Sequence, residues 1–204
     1  MAERVKKPAL VFRALTPGHM DDLGEVLRGS WGAGCWCMYP RLTAAQMKKL
    51  PGSGALTRRR RDAMTKLARR RYAPGLLAFE GDEAVGWVAV APRTELGRIE
   101  ASRATPPVDA EEVWVIPCLT VRKLARGRGI GVALIQAAVA YARKNGARAV
   151  EAYPRAGAER THDDSVYFGT EPLFRRAGFR VVRKPLPNLP RNWLPRVTMR
   201  AAAR

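Results

Sequence analysis

The sequence predicts a mixed α/β fold, with a central sheet of about six to seven strands and helices on both faces. Three observations carry this expectation. Apolar runs of strand length recur along the 204 residues. One pair of them, 75–80 and 84–91, is joined by Gly81-Asp82-Glu83, which is hairpin turn chemistry. Helical periodicity fills the intervals and is clearest over 129–144. Because the early strands form a hairpin, a regular doubly wound βαβ sheet is excluded.

The elements follow in order. Residues 9–14 read as the first strand, and 17–28 as a helix with Leu23, Val26 and Leu27 facing inward. Residues 29–41 read as an irregular loop with Trp31, Trp36 and Tyr39 among glycines and two cysteines. Thr43 is placed to cap a helix over 43–50, and Gly52-Ser53-Gly54 breaks the chain. A strongly basic helix over 56–71 offers Met64 and Leu67 as apolar contacts. After the hairpin, 92–103 connects with about one helical turn. Residues 111–121 form a long strand, and Pro117 within it has no N–H for a ladder, so a bulge or a splay is expected there. The helix over 129–144 presents Ile130, Leu134, Ala137, Ala138 and Tyr141 on one face, with Gly146 as its C-cap. Residues 147–153 form a strand stopped by Pro154, and 155–167 a polar loop. A short helix over 170–177 is ended by Gly178, Phe179 begins another strand, and 193–200 form the last. A basic extension over 1–8 is expected to precede a single domain over 9–204.

Composition narrows the function classes. The chain is 47% hydrophobic, enough for a sizeable core. No apolar run approaches the ~20 residues of a membrane span, and the first residues lack a secretory signal. A cytoplasmic protein with no membrane partner is the expectation. The net charge is +19 and the pI near 11.1, with dense runs at Arg58-Arg59-Arg60-Arg61 and Arg69-Arg70-Arg71. Such a surface attracts polyanions or a phosphorylated cofactor, although solvated helix faces account for it equally well. Cys35 and Cys37 are too close for an ordinary disulfide, and with Cys118 the count is odd. The only histidines are His19 and His162 and there is no Cys-x-x-Cys. Reduced buried thiols and no metal are therefore expected.

The most informative stretch runs from Val113 through Val121 into Arg126-Gly127-Arg128-Gly129-Ile130-Gly131. An apolar strand ends, a short basic loop follows, and alternate glycines open a long apolar helix. Glycines let the backbone approach a ligand, and a helix N-terminus offers free N–H groups to a pyrophosphate. A dinucleotide fingerprint would need glycine where Val132 stands, and a Walker loop would need Gly-Lys-Ser/Thr.

Three pieces in this order resemble the GNAT-type N-acetyltransferases. They are the hairpin over 76–90, the strand, loop and Arg-x-x-Gly-x-Gly helix start over 118–131, and Leu173-Phe174-Arg175-Arg176-Ala177-Gly178-Phe179. The segment Gly34-Cys35-Trp36-Cys37-Met38-Tyr39-Pro40-Arg41 resembles a bacterial subgroup. The resemblance implies a mostly antiparallel sheet with a splayed parallel pair, acetyl-CoA as donor, and direct transfer to a primary amine of a small molecule or peptide. It assigns the cofactor to Leu119, Thr120, Val121, Arg126, Gly127, Arg128, Gly129, Ile130 and Gly131, with Phe174 a packing or cofactor contact. The strand segment 119–121 would offer unpaired backbone groups to the pantetheine arm, and one amide would polarise the thioester carbonyl.

The sequence departs from the family in two places. Phe174 stands where many members carry a tyrosine acid, and Val113-Trp114-Val115-Ile116 lacks the in-strand glutamate base. Glu112, Glu151 and Tyr167 are the candidates for proton transfer. Trp31, Trp36 and Tyr39 are the candidates for the acceptor site, with Asp163 and Asp164 as acids that could attract an amine. A homodimer is compatible with the family. The competing reading is a nucleic-acid-binding protein on the same scaffold, with weak polyanion binding through the stretch from Arg58 to Arg71.

Overall fold

Gly81 and Asp82 reverse the chain between β2 (Gly75–Glu80) and β3 (Glu83–Pro92), as the turn chemistry requires. This hairpin forms the second and third strands of one seven-stranded sheet. β1 (Leu10–Ala14) pairs antiparallel with β2, and β4 (Val113–Val121) pairs antiparallel with β3. β5 (Ala149–Ala152) runs parallel to β4. β6 (Arg180–Arg183) and β7 (Thr198–Ala202) complete the order β1-β2-β3-β4-β5-β7-β6. The expected mixed, mostly antiparallel sheet with one parallel pair is the one observed. The computed structural model describes residues 9–30, 32–157, 168–189 and 194–203.

Alternation along the strands divides the core. Leu76, Ala78, Val88 and Ile116 face α6 (Ile130–Lys144) and α7 (Glu171–Arg176). Leu77, Phe79, Trp87 and Cys118 face α1 (Met20–Leu27), α3 (Ala44–Lys48) and α4 (Leu56–Leu67). Leu23, Val26 and Leu27 are buried as expected. Thr43 caps α3 in a capping box with Gln46, which satisfies two otherwise orphaned N–H groups.

Several boundaries differ from expectation. The segment 17–28 is a 3-10 turn over Pro17–His19 followed by α1. The loop 29–41 contains a short helix, α2 (Gly32–Cys35), and 92–103 holds two short turns, Arg93–Glu95 and α5 (Gly97–Glu100). The basic helix stops at Leu67: Arg69 and Arg70 donate to carbonyls three residues back, the tightened pattern of a fraying helix end. On α6, Ile135 and Ala142 are buried as well, and Tyr141 is half-buried with its hydroxyl accepting from Ala73 N at 2.8 Å.

Candidate functional site

β4 and β5 pair only from Val113 and Ala149 to Ile116 and Ala152. β5 ends there, two residues before Pro154, while β4 continues to Val121. On its other edge, three steps of β4 from Val115 to Cys118 lie opposite two steps of β3 from Ala91 to Ala89. The extra residue is a bulge at Ile116-Pro117. Pro117 is thus both at the bulge and the first residue past the parallel pair, and 118–121 has a strand partner on one edge only. That edge borders a cleft of about 740 Å³.

The glycine loop closes one end of this cleft. A 3-10 turn, Lys123–Ala125, follows β4, and Gly127 and Gly129 adopt φ of 77° and 81°. Those values lie in the left-handed region that favours glycine. Gly129 caps α6, so the N–H groups of Ile130, Gly131 and Val132 have no intrahelical partners, and all three residues line the cleft. Positive dipole, free N–H groups and an open backbone coincide at one place. Opposite stand Gly169 at φ 79°, Thr170, Leu173 and Arg176. A side chain at 169 would meet the Phe174 ring at 2.7 Å, so only glycine lets this wall come so close. Leu119, Thr120, Val121, Arg126, Gly127, Gly129, Ile130 and Gly131 all line the cleft.

Other sequence-designated residues fall elsewhere. Phe174 is 0% exposed and packs edge-on against Phe179 with ring centroids 5.0 Å apart. It lies behind the cleft wall, and of its two expected roles only packing has a contact. Arg128 pairs with Glu80 on β2 and does not line the cleft. Glu112 is exposed at the far end of β4, seven residues or roughly 23 Å of strand from Leu119. Glu151 is 1% exposed and fully engaged. It accepts two bonds from Arg200, at 2.7 and 3.0 Å, and one from Tyr153 Oη at 2.8 Å. Burial and the Glu151 charge hold the Tyr153 hydroxyl well above the usual phenol range. Arg93 bonds the same hydroxyl, and Arg200 also grips Asp109. This network cross-links the interior strands β5 and β7 to the turn after β3, and Glu151 does not line the cleft.

Trp36 is buried beneath Arg61, and the Tyr39 ring lies under the Arg98 guanidinium at 4.1 Å; neither lines the cleft. Trp31, Tyr167, Asp163 and Asp164 lie outside the described residues. What the aromatic-rich loop does bring to the cleft is Ser30, Gly32, Cys35, Cys37 and Pro40, and the two thiols meet Cys118 of β4 there. The sequence marks these thiols as buried but does not place them at the site. The signal available was only the identity of Cys118 as the residue next to Leu119.

A sequence model described as "Acetyltransferase (GNAT) family" matches residues 41–164. The chain belongs to this family. Solved structures agree on the fold. Arylalkylamine N-acetyltransferase 2 from Aedes aegypti is 14% identical, with 96% of this chain and 99% of that one covered at a TM-score of 0.59. The PaiA N-acetyltransferase from Thermoplasma acidophilum, in complex with coenzyme A, is 14% identical over 95% and 99% at 0.54. A polyamine N-acetyltransferase from Drosophila melanogaster is 12% identical over 95% and 100% at 0.54. Against a GCN5-related N-acetyltransferase from Kribbella flavida, 18% identical with a TM-score of 0.52, 89% of this chain spans about a third (35%) of that one. No curated protein matches the chain. Among the described residues, no helix is long and apolar enough to cross a membrane.

Proposed function

We propose that the protein transfers an acetyl group from acetyl-CoA to a primary amine of a small molecule or peptide, by direct attack in a ternary complex. The observation that carries this reading is the continuity of one cleft from the half-unpaired edge of β4 to the N-terminus of α6. The names of the relatives support it: one was solved with coenzyme A, and others are named for arylalkylamines and polyamines.

The residues present suit the donor. The N–H groups of Ile130, Gly131 and Val132, with Arg126 also lining the cleft, would give a pyrophosphate hydrogen-bond donors and positive charge. The open edge of Leu119, Thr120 and Val121 can bond an extended amide-bearing chain as a strand would. A backbone N–H of that edge, fixed by the sheet, can stabilise charge developing on a thioester oxygen. Holding donor and amine together supplies roughly 7 to 11 kcal/mol of the barrier. The test is a screen of amines for thiol release from acetyl-CoA, beside calorimetry of acetyl-CoA on wild type and Gly129→Glu. Micromolar binding by wild type alone, and release with at least one amine, is the expected result. No binding at high micromolar ligand would sink the reading.

A further inference from the structure

An amine acceptor reaches the cleft as an ammonium ion and must lose a proton before it attacks. Neither Glu112 nor Glu151 faces the cleft. Among the described residues, its ionisable side chains are Cys35, Cys37, Cys118, Arg126 and Arg176. Arginines do not give up their protons, which leaves the thiols.

The three thiols are not equivalent. Cys37 has φ 51° and follows Trp36 at φ 49°, two consecutive non-glycine residues in the left-handed region. Such strain persists only where surrounding contacts hold it, and it concentrates at functional sites. From β3, the Trp87 indole Nε1–H donates to Cys37 Sγ at 3.1 Å; from β4, the Cys118 thiol shares a sulfur–sulfur hydrogen bond with it at 3.4 Å. The Arg41 guanidinium, 5% exposed, adds positive charge and is anchored on Pro74 O at 2.9 Å. Behind it stand Glu95, 4.0 Å from Arg41, and Arg70, 3.6 Å from Glu95. From α2, the Cys35 thiol is pushed up to about 11 by burial and by Cys37, and so stays neutral. The hydrogen bond shared with Cys118, then Trp87 and Arg41, outweigh burial and hold the Cys37 thiol below the ordinary thiol value, whereas Cys118 is pushed well above it.

Position completes the case. Cys118 directly precedes the open edge 119–121, so Cys37 Sγ stands at the end of the cleft away from the glycine loop. That is the end where the acyl group arrives if the pyrophosphate occupies the loop. We propose that Cys37, as thiolate, is the general base that deprotonates the acceptor ammonium. This rests on the acetyl-transfer reading given above. One ammonium N–H bond breaks and its proton goes to Cys37 Sγ. The freed lone pair forms the C–N bond, the thioester C–S bond breaks, and the departing sulfur takes the second nitrogen proton. Cys37 is 1% exposed, so its proton leaves by way of water that enters the cleft once product has gone. A thiol base dispenses with the missing glutamate, and proton delivery from the substrate nitrogen dispenses with the missing tyrosine.

Two readouts test this. The first needs no acceptor: iodoacetamide labelling read by peptide mass across about pH 6 to 10, on wild type, Cys37→Ser, Cys37→Ala and Cys118→Ala, with calorimetry of acetyl-CoA to show that each variant is folded. Cys37 should label along a limb below the ordinary thiol value, acetyl-CoA should protect it, and Cys118→Ala should move the limb to higher pH. The second is thiol release with an amine that wild type uses. Cys37→Ser and Cys37→Ala should lose about 10²- to 10⁴-fold in kcat, with KM for acetyl-CoA little changed and the acidic limb of kcat/KM gone. A limb at or above the ordinary thiol value, or kcat retained in both variants, overturns the proposal alone. An acetyl adduct on Cys37 that acceptor discharges overturns it in favour of a covalent intermediate. Wild type that binds acetyl-CoA yet releases thiol with no amine overturns the acetyl-transfer reading, and the base with it.

Discussion

At the scale of single residues, backbone conformation decides which positions of the loop tolerate change. Gly129 sits at φ 81° with nothing within 4 Å of the place a methyl group would take, so the cost of a side chain there is conformational rather than steric. Gly129→Ala should lose about 1 to 2 kcal/mol in denaturant unfolding and bind acetyl-CoA more weakly by calorimetry. Two arginines in the same loop should behave differently. Arg126 lines the cleft, while Arg128 is held by Glu80. Arg126→Ala should weaken acetyl-CoA binding markedly and Arg128→Ala only slightly, as titration calorimetry would show. Phe174 is a packing residue by its burial. Phe174→Ala should cost about 3 to 5 kcal/mol in unfolding free energy, and Phe174→Tyr should bring no gain in kcat, because the ring does not face the cleft.

Among elements, the site depends on β4 being longer than the partner that would pair it. The bulge at Ile116-Pro117 turns the strand away from β5 just where β5 ends, and α6 begins close enough to complete the cleft. The helix on the opposite wall, α7, carries an ion pair along its own surface, Glu171 with Arg175, and Glu171 also reaches the Gly157 backbone. The Glu171 carboxylate is held below its usual range, first by bonds from Arg175 at 2.6 and 2.9 Å and then by the Gly157 N–H at 3.3 Å. A carboxylate depressed in the folded state stabilises above its unfolded pKa, and that contribution is lost as pH falls through the folded value. Thermal unfolding should therefore show stability falling below about pH 4.5, and Glu171→Gln should remove part of that fall. Elsewhere, Thr43→Ala should cost about 1 kcal/mol by opening the cap of α3.

For the molecule as a whole, charge is the dominant fact. Lys and Arg number 37 against 18 Asp and Glu. Yet much of the basic helix is engaged internally. Arg59 bonds Leu50 O at 2.9 Å, Arg60 bonds Gly34 O at 2.6 Å, and Arg61 bonds Asp21 at 2.6 Å. These bonds lash α4 to α1, α2 and the loop after α3, on the face that carries Cys37. Binding to duplex DNA, measured by fluorescence anisotropy, should be weak at low salt and fall steeply towards about 0.2 M.

Local signals were enough for much of this. The glycine hairpin, the long apolar helix with its glycine ends, the proline in β4 and the Arg-x-x-Gly-x-Gly spacing are each written in a few adjacent residues, and they pointed to the sheet, the bulge and the glycine-loop end of the cleft. Helix ends were less legible, because the frayed turn after Leu67 depends on neighbours and not on propensity. What only the tertiary structure decided is which side chains meet at the other end. Glu151 and Phe174 were named as candidates; in the fold Glu151 is held by Arg200, Phe174 packs on Phe179, and neither lines the cleft. Cys37 and Cys118 lie 81 residues apart in sequence, and only the packing of the α2 loop over β4 brings their sulfurs to 3.4 Å. A backbone turn is a local property of the chain, whereas the environment that tunes a proton is assembled from segments that folding alone brings together.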